Sequence, residues 1–119
     1  MIATCVIHDN PAPKGRARVT DHGTFTPAKT AAWEEHVGWA YKGKPFFAGP
    51  VGLRITFYRD RKGADIDNLL KSTMDALNGV AYGDDVQVIH VEMDKRIDRK
   101  NPRVELEIWS INLIDGENK

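Results

Sequence analysis

The stretch from Gly63 to Gln87, G-A-D-I-D-N-L-L-K-S-T-M-D-A-L-N-G-V-A-Y-G-D-D-V-Q, constrains this chain more than any other. It holds Asp65, Asp67, Asp75, Asp84 and Asp85 against a single cation, Lys71. Ile66, Leu69, Leu70, Thr73, Met74 and Leu77 recur at helical spacing and predict one apolar stripe. Asp67, Lys71, Asp75 and Asn78 fall on the opposite side, and Asn78-Gly79 is a helix stop. Carboxylates at a helix N-terminus are favoured by the macrodipole alone, which accounts for Asp65 or Asp67 taken singly. It does not account for Asp84-Asp85, set between Val80-Ala81-Tyr82 and Val86. At ~3.3 Å per extended residue, the run from Asn78 to Asp84 is long enough to return along a helix rising ~1.5 Å per residue. The aspartates can therefore converge. Converging carboxylates repel unless a cation lies between them, and hard oxygen ligands beside one lysine suit Mg²⁺ and phosphoryl transfer. Lys71 has a plainer reading too, as a surface ion-pair partner of Asp75 one turn on.

The chain has 119 residues, enough for one domain with a modest core. No apolar run approaches the ~20 residues of a membrane span, and Met1-Ile2-Ala3-Thr4 lacks the features of a signal peptide. The lone Cys5 excludes an intrachain disulfide and fits a reducing, cytoplasmic setting; it reads as a small core residue. Four scattered histidines and one cysteine give no zinc pattern. Net charge is zero, but its distribution is uneven. Residues 1–62 carry ten Lys/Arg against five Asp/Glu, and residues 63–119 carry seven against twelve. A basic half can attract phosphates while an acidic half holds a cation.

Ile2 to His8 predicts a first strand, broken by Asp9-Asn10-Pro11-Ala12-Pro13. Lys14, Arg16 and Arg18 then place three cations in five residues around a glycine. They read either as a solvated loop or as contacts to a phosphate backbone, which would be salt-dependent and largely sequence-independent. Asp21-His22-Gly23 is a turn between two short arms. Thr26-Pro27 reads as an N-cap and first helical residue, with a helix to Tyr41 that buries Trp33, Val37, Ala40 and Tyr41 and leaves Glu34-Glu35 solvated. Phe46-Phe47 are candidates for core packing, a subunit contact or base stacking, in that order. Val51 to Arg59 alternates, with Val51, Leu53, Ile55 and Phe57 on one face. Arg59-Asp60-Arg61-Lys62-Gly63 leads into the acidic helix, and Arg61 and Lys62 are a second candidate phosphate contact. Gln87 to Asp94 alternates through Ile89, Val91 and Met93. Val104, Leu106 and Ile108 predict a last strand, in hairpin pairing with the one before. The expected fold is one α/β domain of the α+β type over residues 1–111, a mixed sheet with two helices on one face. Residues 112–119 are expected to form a polar, frayed tail.

D-I-D-N-L-L-K-S-T-M-D-A-L-N-G followed by Y-G-D-D-V-Q-V resembles the signature of RusA-type Holliday junction resolvases. The likeness extends upstream to P-x-P-K-G-R-A-R-V-T and T-P-A-K-T, and covers most of residues 10 to 92. A lone D-x-D would be weak; D-x-D-N-x-x-K with a later D-D is specific. The resemblance implies Mg²⁺-dependent cleavage of four-way DNA junctions, with Mn²⁺ as a substitute, by a homodimer of the same α/β architecture. It assigns Asp65, Asp67 and Asp85 as catalytic, metal-binding carboxylates, with Asp84 as second choice, and Lys71 as an essential catalytic cation. It favours the DNA-contact reading of Lys14, Arg16, Arg18, Arg61 and Lys62. Family members occur in phages and prophages, which points to a bacterial or phage origin. Two other readings stay open on the residues alone: a junction-binding module without catalysis, and a Mg²⁺-dependent flap or nonspecific nuclease.

Overall fold

Alternation in Val51–Arg59 produces a nine-residue strand, and the pairing of that strand decides the fold. In a computed structural model, described at residues 2–13, 18–20, 23–25 and 28–112 (backbone alone for 18–20 and 23–25), the elements follow in chain order. They are β1 (Ile2–Ile7), β2 (Arg18–Thr20), β3 (Gly23–Phe25), α1 (Ala28–Tyr41), β4 (Val51–Arg59), α2 (Ile66–Leu77), a single 3₁₀ turn (Asp85–Gln87), β5 (Val88–Ile97) and β6 (Arg103–Ser110). β2 and β3 form a small antiparallel arm. The other four strands form one mixed sheet in the order β1-β6-β4-β5.

β4 pairs with β5 in parallel and with β6 antiparallel. A parallel pair needs a crossover, and α2 supplies it. The expected β5–β6 hairpin is not formed. β6 instead lies between β4 and β1, with Leu106 opposite Ile55 on one side and Cys5 on the other. The reason is burial. Val104, Leu106 and Ile108 are almost wholly enclosed, as a central strand requires. On β5, Ile89 is 44 % and Met93 37 % exposed, as an edge strand tolerates. The 98–102 connection steps over the end of β4.

One face of the sheet carries Ala3, Cys5, Ile7, Leu53, Ile55, Phe57, Val104, Leu106 and Ile108, and both helices pack on it through Trp33, Val37, Tyr41, Leu69 and Leu77. Each fully enclosed leucine there stabilises by roughly 1.5–3 kcal/mol. The predicted stripe of α2 is present but turned slightly: Leu69, Thr73 and Leu77 are buried with Ser72 and Ala76, while Ile66, Leu70 and Met74 are partly covered. Phe47 is buried and Phe46 exposed, so the pair splits between core and surface. The opposite sheet face bears charge. Arg54 bridges Glu92 and Glu107, and Arg103 stacks 3.8 Å over Tyr58 while bridging Asp98 and Glu105. Gly52 lets the Trp109 ring lie against the backbone; a Cβ there would sit 2.6 Å from two ring carbons. No helix among the described residues is long and apolar enough to cross a membrane.

Candidate active site

The turn between β4 and α2 sets the first two aspartates. Gly63 (φ +111°) and Ala64 (φ +59°) are consecutive residues in left-handed backbone. That conformation costs an L-residue such as alanine roughly 1–2 kcal/mol, so something must hold it. Two cations do. Arg59, 7 % exposed, donates from Nη1 to the Gly63 carbonyl (2.9 Å) and from Nε to the Pro11 carbonyl (3.2 Å). Lys95 donates from Nζ to the Ala64 carbonyl at 2.7 Å. Asp60, the first residue after β4, is tied across the molecule, since Asn10 Nδ2 donates to Asp60 Oδ1 (3.1 Å) and Asn10 Oδ1 accepts from the Asp60 amide (3.2 Å).

Asp65 then occupies the N-cap position of α2 in extended backbone. Its carbonyl accepts from the amides of Asn68 and Leu69, each at 3.1 Å, but its carboxylate makes no cap hydrogen bond. Its carboxylate is thus not tied up in capping, and only the macrodipole of α2 acts on it from the helix itself. Asp67 is exposed in the first turn, and Lys71 is exposed one turn on.

At the far end of α2 a second acidic group is built by different means. Gly79 (φ +76°) donates from its amide to the Tyr82 carbonyl at 2.7 Å and closes the turn. Tyr82 is fully buried and donates its hydroxyl to the Met74 carbonyl. Burial, reinforced by the charges of Asp85, Asp75 and Asp84, holds its phenol far above the usual range. The Gln87 side chain makes four hydrogen bonds. Its Oε1 accepts from the amides of Gly83 (2.8 Å) and Asp84 (3.1 Å), and its Nε2 donates to the carbonyls of Phe47 and Gly49, both at 2.9 Å. This staple fixes Asp84 and Asp85 at the start of β5. Asp85 holds its proton above the ordinary aspartate range, chiefly through a hydrogen bond with Asp84, then burial and the charges of Asp84 and Asp75, with Lys71 opposing.

The expected convergence of Asp65, Asp67 and Asp85 is not seen. No group of three or more His, Cys, Asp or Glu among the described residues is placed to hold an ion. The physical reason is the Gln87 staple with its 3₁₀ turn, which anchors the returning loop against residues 47–49. Asp85 accordingly feels Asp75 and Lys71. The donor chemistry still suits a hard cation: carboxylates alone, two of them adjacent in sequence and interacting, beside one lysine.

Among the predicted DNA contacts, Arg61 and Lys62 are exposed on the turn that enters the acidic helix. Lys14 and Arg16 lie outside the described residues, as does the Thr26-Pro27 cap; Arg18 is placed by backbone alone, as the first residue of β2. Sequence reasoning missed three positioning residues. Arg59 had a signal, since it continues the buried parity of Val51, Leu53, Ile55 and Phe57. Lys95 likewise continues Val91 and Met93. Gln87 had a partial signal in the capping-box spacing Asp84-x-x-Gln87, but its bonds to Phe47 and Gly49 are set by the fold.

Comparison with known proteins gives the family. The family model for endodeoxyribonuclease RusA matches residues 9–109, spanning the basic segment, α2 and every strand of the sheet but β1. The crossover junction endodeoxyribonuclease rusA of Enterobacteria phage 82 is 33 % identical across 82 % of this chain and 88 % of its own length. The uncharacterized protein YqaN of Bacillus subtilis strain 168 is 26 % identical across 84 % of this chain and 87 % of its own. An acidic helix entered through a cation-clamped turn and left through a stapled aspartate pair, within a match of this extent, places the chain in the RusA endodeoxyribonuclease family.

Proposed function

We propose that this protein is a Mg²⁺-dependent junction resolvase that cuts four-way DNA by paired, symmetric nicks. The observation that carries the reading is the Asp84–Asp85 pair, in which Asp84, burial and Asp75 raise the Asp85 carboxyl against Lys71, at the exit of a helix whose N-cap and first turn present Asp65 and Asp67. The junction substrate is supported by the phage 82 relative, which is named for crossover junctions. Asp65, Asp67 and Asp85 would hold the cation, with Asp84 in reserve and Mn²⁺ as an alternative ion. Once bound, the ion supplies a Lewis acid and a water activated near neutral pH. Lys71 offsets charge developing on the phosphoryl oxygens. Asp75, one turn beyond, orients that ammonium. Arg61, Lys62 and the Lys14–Arg18 segment contact the DNA backbone. Paired nicks call for two sites in fixed relation, which a twofold homodimer provides.

The test is strand cleavage of a synthetic four-way junction beside linear duplex, with wild type and Asp67→Asn, with and without Mg²⁺. Symmetric nicks confined to the junction and lost in the variant and without the ion are expected. Equal cutting of linear duplex would remove the junction assignment. Tight binding with no cutting would replace catalysis by a binding role.

A further inference from the structure

A cavity of ≈ 280 Å³ opens at the carboxyl ends of the parallel pair β4 and β5, lined by Arg61, Lys62, Gly63, Lys95, Arg96 and Ile97. We propose that it seats a backbone phosphate of the DNA on which this nuclease acts, which rests on the nuclease reading above.

Four of the six lining residues are cations and none is a carboxylate. The other charged cavities differ. One on the far side of the same turn contains Asp9 with Lys29, Arg59 and Arg61, and one on the bare sheet face sets Arg54 among Glu105 and Glu107. Lys62, Lys95 and Arg96 enter no ion pair among the described residues, and Arg61 lies 3.9 Å from Asp60. Cations gathered without counter-charge repel one another, and a bound anion relieves that repulsion.

The end of β5 and the clamped turn after β4 build the cavity. Arg96 stands opposite Tyr58, and Ile97 opposite Arg59, in the parallel ladder. Lys95 is held by its 2.7 Å bond to the Ala64 carbonyl, which uses one of three ammonium donors. Ala64 directly precedes Asp65, so an anion seated here lies at the entrance to the acidic helix. The carboxyl ends of parallel strands are the usual ligand side of such sheets. The ligand class is therefore a phosphodiester, positioned by charge and blind to base sequence.

The experiment is equilibrium binding of the full chain to a four-way junction and to linear duplex across a chloride series with Mg²⁺ omitted, alongside cleavage with Mg²⁺. Arg96→Ala should weaken binding to both DNAs about tenfold, as expected for loss of a charge-assisted hydrogen bond. It should also lower the slope of log K against log salt by about 0.9. Lys42→Ala, a charge loss on the chain just after α1 at the opposite end of β4, should change neither. Unchanged affinity and slope in both Arg96→Ala and Lys62→Ala, with wild type cutting normally, would overturn the phosphate seat and leave the nuclease reading intact. A wild type that cuts no DNA, with the Arg96→Ala slope change present, would do the reverse. Binding of inorganic phosphate that is lost in Arg96→Ala, while DNA affinity and salt slope stay unchanged in that variant, would assign the cavity to free phosphate and overturn the DNA assignment.

Discussion

The two ends of α2 present aspartates in opposite ways. At the upstream end, charged side chains grip the backbone: Arg59 and Lys95 hold the carbonyls of Gly63 and Ala64. The carboxylates of Asp65 and Asp67 are displayed as a by-product of that grip. At the downstream end a neutral amide, Gln87, does the holding. Asp85 is left chiefly with Asp84 and Asp75, opposed by Lys71, and its carboxyl is raised above the ordinary aspartate range. A cationic clamp lowers the local cost of negative charge, and an amide staple does not. The downstream pair is thus the end of the site with more to gain from a metal ion.

This contrast can be broken at four points, in falling order of effect. Arg59→Ala should cost about 3 kcal/mol in urea unfolding, because it leaves two carbonyls without a charged donor, and Arg59→Lys should recover part of it. Gln87→Leu should cost about 2 kcal/mol by stranding the carbonyls of Phe47 and Gly49 and the amides of Gly83 and Asp84. A Gln87→Leu chain as stable as wild type would mean the staple does not hold the turn. Ala64→Gly should raise stability by about 0.5 kcal/mol, since relief of left-handed strain exceeds the added chain entropy; a lower melting temperature would show that the clamp carries no strain.

The fourth concerns protonation. The folded-state pKa of Asp85 is raised, so its protonated form contributes stability that is complete below the unfolded pKa and lost as pH rises through the folded value. Asp84→Asn should bring the carboxyl titration of Asp85, followed by NMR, back toward the ordinary aspartate range. Mg²⁺ should do the same in wild type. No movement in either would separate the pair from the cation.

The extent of β4, the existence of α2 and the assignment of faces were legible in the sequence, because period and burial are local properties. Partner choice was not. Alternation in β5 and β6 says which side chains point inward; it does not say that β6 passes over β4 to reach β1. The same limit governs the site. The length of the 78–84 return permits convergence on Asp65, but Gln87, whose partners lie at Phe47 and Gly49, ends that return short. Asp65 and Lys71 were found as residue types in a pattern, whereas Arg59 and Lys95 act through carbonyls that no pattern records.

The central place of β6 also sets when the molecule can form. β1 pairs with β6 alone, Ile2 opposite Trp109, and β4 has one flank open until Arg103–Ser110 arrives. Nearly the full chain must be closed into a loop before the first strand finds its partner, a high-contact-order topology that places folding in the slower range, about milliseconds to seconds. A growing chain would therefore carry its acidic helix exposed and its sheet unclosed until the end. The nuclease would gain its structure in one late step, after the last strand is free to insert.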